Sequence, residues 1–95
     1  MTKLRLTQQE HTELGHTLAG VRDELLRRHV QLCNAYPRSG EEGRPATLLG
    51  RALDALDAAR TELDHAVFRE HPRTAQTTDY YPAEEDRSAV GPRRP

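Results

Sequence analysis

Apolar residues recur at Leu14, Leu18, Val21, Leu25, Leu32 and Tyr36, in steps of three, four and seven. That spacing returns every side chain to one side of a helix with 3.6 residues per turn. The run opens on Thr7-Gln8-Gln9-Glu10, a capping-box pattern. In it the threonine hydroxyl takes an orphan backbone N–H and the glutamate reaches back to the cap. The run stops at Pro37, because the residue before a proline is pushed out of the α region. A first helix is predicted over about 8–36.

Residues 37–44 hold a proline, a serine and two glycines and read as a loop. Pro45 suits the first position of a second helix, where a missing N–H costs nothing. Leu49, Leu56 and Leu63 then repeat every seven residues, with Ala52, Ala59 and Ala66 beside them. Leu48, Leu53 and Val67 widen this arc, and Pro72 ends it. The second helix is predicted over about 46–71. Beyond it the pattern is lost. Four of the six prolines fall in 72–95, the few apolar residues have no period, and four acidic and four basic residues balance. Such a segment buries too little to offset its ordering entropy. The expected organisation is all-α: an antiparallel two-helix hairpin over 1–72 and a disordered tail over 73–95 that does not pack on it.

The first helix carries a second apolar zone, made of Gly15, Ala19, Leu26, Val30 and Cys33. The two zones together span about half the circumference, wider than the ~100° stripe that one contact covers. One partner helix cannot cover both. The expectation is that Ala19, Leu26, Val30 and Cys33 form a protein interface. Two hairpins would then pair into a four-helix bundle, as a homodimer or higher oligomer, or the hairpin would dock on another helical protein. The competing expectation is a monomer whose tail covers the second zone.

Composition narrows the function classes. The apolar fraction is 35%, with no Trp, no Ile and four Val, which suits helix seams better than sheets. A chain of 95 residues this lean has a marginal core. Net charge is −1 without a basic patch, so no nucleic-acid partner is expected. No apolar run approaches the ~20 residues that span a membrane. Residues 1–6 lack the apolar stretch of a secretory signal, and the expectation is a cytoplasmic protein. Cys33 is the only cysteine, which excludes an intrachain disulfide and a cysteine zinc cluster.

Candidate chemistry is sparse. Glu62-x-x-His65 puts a carboxylate and an imidazole on one helix face. In this it resembles the short encapsulated-ferritin hairpins, which build an iron site across a dimer interface. Both residues lie off the apolar arc, and Glu24 of the first helix does not point inward to match them, so no metal or other cofactor is expected. Tyr80-x-x-x-Glu84 and Tyr81-x-x-x-Glu85 resemble the secretion signal of the Trp-x-Gly family of type VII substrates, which are also antiparallel hairpins. The loop has no Trp-x-Gly here, and Pro82 interrupts the signal. His29 and His11 fall near the apolar side of the first helix and read as packing-edge histidines. Arg22 is placed to snorkel or to pair across an interface, for example with Asp57 or Asp64 of another helix. No catalytic constellation is legible. The leading expectation is a non-enzymatic helical-hairpin interaction or assembly protein, with type VII export and ferritin-like iron binding as the alternatives.

Overall fold

The structure, a computed structural model, describes residues 4–91. Thr7 caps the first helix from both directions. The Glu10 N–H donates to Thr7 Oγ1 at 3.1 Å and the Thr7 N–H donates to Glu10 Oε1 at 2.9 Å. Helix α1 therefore begins at once and spans Gln8–Ala35, 28 residues or ~42 Å. Tyr36 leaves it in an extended conformation ahead of Pro37.

Helix α2 spans Gly40–Glu70 and so begins six residues earlier than the pattern predicts. The connection shrinks from 37–44 to residues 36–39. The chain turns at Gly40, whose φ of +74° lies in the left-handed region that glycine enters without penalty. Glu41 and Glu42 then fall in the first turn, where carboxylates meet the positive end of the helix. Pro45 sits inside α2 instead of opening it. It leaves the Glu41 carbonyl without a helical donor, but Glu41 is exposed and water can serve.

The helices run antiparallel. His11 meets Glu70, Arg22 meets Asp57 and His29 lies against Gly50, so one helix is read backwards as the other is read forwards. Arg22 Nε donates to Asp57 Oδ1 at 2.7 Å, which selects, within one chain, one of the two carboxylates offered by the sequence. That hydrogen bond is the main reason the guanidinium pKa rises above its ordinary value. Among the described residues there is no strand, and no helix is long and apolar enough to cross a membrane.

Two cylinders in contact enclose almost nothing. Leu14, Leu18, Val21, Leu25 and Leu32 are accordingly only half-buried. The deepest burial lies elsewhere, where a third layer covers the pair. That layer is the segment after α2. It forms short 3-10 turns at Thr77–Asp79 and Glu84–Asp86 and follows α1 from its N-terminal turns toward its middle. Tyr80 and Val67 are 0% exposed, and Asp79, Arg60 and Pro82 are buried with them. The expectation that residues 73–95 lack packing is corrected for 73–91, while 92–95 lie outside the described residues.

The cause is specific to α1. A Cβ on Gly15 would stand 1.8 Å from the Asp79 carbonyl oxygen, and one on Gly20 would stand 2.0 Å from that of Ser88. Two missing side chains let the segment lie backbone against backbone on the helix. The Ser88 N–H donates to the His16 carbonyl at 3.1 Å. Arg60 Nη2 donates to the Tyr80 carbonyl at 2.9 Å, and its guanidinium lies 4.8 Å from the Tyr81 ring centroid. Arg87 clamps both carboxylate oxygens of Asp23 at 3.1 Å. The segment is poor in apolar residues, yet one buried tyrosine, a set of backbone contacts and the pairings of Arg60 and Arg87 hold it in place.

Candidate functional site

The open end of the hairpin gathers polar groups from four parts of the chain. His11 comes from the first turn of α1, and Glu70 and His71 from the last residue and the cap of α2. Tyr80 comes from the covering segment, and Leu6 precedes α1. The His11 imidazole is 2% exposed and uses both nitrogens. Nε2 meets Glu70 Oε1 at 3.0 Å and Nδ1 meets the Tyr80 hydroxyl at 2.5 Å. An ionised carboxylate only accepts, so Nε2 carries the proton and Nδ1 accepts from the tyrosine. The result is a chain in which Tyr80 donates to His11 and His11 donates to Glu70.

The electrostatics agree with that chain. The His11 hydrogen bond holds the Glu70 pKa below the ordinary carboxylate value, outweighing the opposing effect of burial. Burial pushes the Tyr80 phenol up to about 12, and the charges of Asp79, Glu70 and Asp64 push it the same way. Tyr80 is thus a neutral donor, unsuited to act as a phenolate near neutral pH.

His71 turns Nε2 to the Leu6 carbonyl at 2.9 Å and meets the His11 ring edge-on, with centroids 5.8 Å apart. Potential ligand atoms of His11, Glu70 and His71 all lie within 4.8 Å of one another. Beside them Asp79 accepts from Thr12 Oγ1 at 2.8 Å, from Gln8 Nε2 at 3.0 Å and from the Gln76 N–H at 2.8 Å. Asp64 Oδ1 and Arg60 Nε are buried without a hydrogen-bond partner.

The residues expected at a protein interface divide between two environments. Ala19 is 2% exposed within the chain itself, so it is not part of any open patch, and its inclusion is corrected. Leu26 is 40% and Val30 50% exposed. Cys33 is half-buried, its Sγ 3.8 Å from His29 Nε2, in a hollow that also includes Tyr36, Pro37 and Ala46. The covering segment accounts for the division. Among the described residues it runs as far as Gly91, which lies against Glu24, one helical turn or less before Leu26.

Glu62 and His65 are exposed and belong to no cluster of three potential ligands among the described residues. Tyr80 of the tyrosine–acid pattern is internal, and its segment is not on an α-helix. Sequence reasoning placed His11 near the apolar side but missed Glu70, His71 and Tyr80. The available signal was Gly15 and Gly20 inside a helix, where each glycine costs about 1 kcal/mol against alanine and calls for a packing reason. No protein-family model, curated protein or solved structure matches this chain.

Proposed function

We propose that the protein is a non-enzymatic helical-hairpin interaction module that self-associates through the uncovered distal half of α1. The carrying observation is that Leu26 and Val30 stay exposed in line with a stripe that the chain covers elsewhere with its own segment. Leu48, Ala52 and Ala59 of α2 are exposed as well, a row of mostly small side chains that admits a close helix neighbour. Burying a large aliphatic side chain is worth about 1.5–3 kcal/mol, so a symmetric contact that covers Leu26 and Val30 twice is well driven. A cytoplasmic location belongs to the same reading, which needs no disulfide.

Light scattering on the full chain tests it. The wild type is expected to run as a dimer or larger. Leu26→Glu/Val30→Glu is expected to run as a monomer that keeps its helical circular dichroism, because the covering segment supplies a core within one chain. A wild type that runs as a folded monomer, or a double variant that keeps the oligomer mass, overturns the reading.

A further inference from the structure

We infer that His11, Glu70 and His71 form a binding site for one divalent first-row transition-metal ion, which staples the open end of the hairpin. Two imidazoles and a carboxylate are the donor set that zinc and ferrous iron accept, with the remaining positions left to water. The three donors come from elements that meet only in the fold. His11 Nε2 and Glu70 Oε1 already stand 3.0 Å apart. Ligands at ~2.0–2.1 Å around a tetrahedral ion are separated by about 3.3 Å. The third donor, within 4.8 Å, has to close by about 1.5 Å to reach the separation this geometry sets. The move falls to the His71 side chain, which is only half-buried, since the His71 backbone is held by hydrogen bonds to Val67, Thr74 and Ala75.

The second observation is the outer hydrogen bonding. A metal-bound histidine has its other ring nitrogen held by a carboxylate, a carbonyl or water, which fixes tautomer and ring orientation. His71 Nε2 is held by the Leu6 carbonyl, which leaves Nδ1 with a free lone pair. His11 Nδ1 is held by Tyr80, which leaves Nε2 toward Glu70. On binding, the ion takes the place of the Nε2 proton. That proton moves to Nδ1, so His11 stays neutral and donates to the Tyr80 oxygen. The Tyr80 hydroxyl then needs an acceptor. The acceptor that the proposal assigns to it is Asp64 Oδ1, which is buried without a hydrogen-bond partner.

The site ties α1, α2, the segment before α1 and the covering segment to one ion. Small chains with lean cores gain stability from such a staple. This inference is independent of the self-association reading and concerns the opposite end of the hairpin.

The test is titration of the metal-free full chain with Co2+, followed by the visible absorption of four-coordinate cobalt, and with Zn2+ as competitor. One ion per chain is expected, with a raised melting temperature. Glu70→Gln and His71→Ala are expected to weaken binding at least tenfold with helical circular dichroism retained, while His65→Ala binds like the wild type. X-ray absorption on the wild-type zinc complex needs no variant and is expected to read two imidazole nitrogens. The inference is overturned by no binding below millimolar Zn2+, by fewer than two imidazoles in that spectrum, or by a folded His71→Ala that binds undiminished.

Discussion

The Asp79 carbonyl oxygen occupies the space in which a side chain at Gly15 would begin, 1.8 Å from the position of its first carbon. The contact is between two backbones, so neither side has a flexible group that can yield. This gives Gly15→Ala a sign opposite to that of helix propensity. An alanine inside a helix is favoured by about 1 kcal/mol over glycine. Here it must lift the covering segment off α1, so urea denaturation is expected to show net destabilisation, and limited proteolysis faster cleavage beyond Arg73. A variant more stable than the wild type means that the segment is not seated on Gly15.

Removal of the chain after Arg73 is expected to lower stability by at least ~2 kcal/mol. Tyr80 is wholly buried, and burial of a large side chain contributes about 1.5–3 kcal/mol before the Arg60, Asp23 and His16 contacts are added. Composition alone points the other way and expects no change. Comparison of denaturant midpoints for the two lengths decides between them.

Alkaline pH acts through Tyr80. Its phenol loses its proton near 10 when unfolded and at about 12 when folded. Between those values the folded state holds a proton that the unfolded state has lost. The contribution of this group is therefore complete below about pH 10 and is lost as pH rises toward 12. Absorbance at the phenolate band is expected to show one of the three tyrosines titrating late, and Tyr80→Phe is expected to abolish that late step. The same variant leaves buried His11 Nδ1 unpaired, at a cost of about 1–3 kcal/mol at neutral pH.

Acid acts through Glu70, whose folded pKa lies below its unfolded value. Its contribution is present above the ordinary glutamate range of about 4.3 and falls away as pH drops through the folded pKa. With chelator present, melting temperature is expected to decline below about pH 4.3 less steeply in Glu70→Gln than in the wild type. Parallel curves would mean that the His11 contact does not hold the carboxylate.

The hairpin was legible because its signals are local and periodic. Thr7 and Glu10 mark the start of α1 and Pro37 its end, whereas the buried line of α2 is Leu53, Arg60 and Val67, with the heptad leucines half-buried beside it and Ala52 and Ala59 exposed. The start of α2 was misplaced because Pro45 reads as a first-turn residue, whereas Gly40 and the two glutamates after it open the helix sooner. The covering segment was illegible for a different reason. Its hold on the helices depends on two absent side chains in α1 and on backbone carbonyls, and neither registers in a count of apolar residues. The His11 cluster was hidden by distance along the chain, since its members have no common motif. Arg22 could be matched with Asp57 because both lie on helices whose phase was known.

The order of closure follows from chain separation. Arg22 and Asp57 are 35 residues apart, whereas His11 and Tyr80 are 69 apart. The longer loop costs more entropy to close and has no site to close upon until α1 and α2 have met. Docking of the covering segment is thus the late step of folding and the early step of opening, a cooperative unit with its own amide-exchange rate. Depth of burial is thus no guide to order of assembly in this molecule: of its two wholly enclosed side chains, Val67 belongs to the hairpin that forms first and Tyr80 to the part that arrives last and departs first.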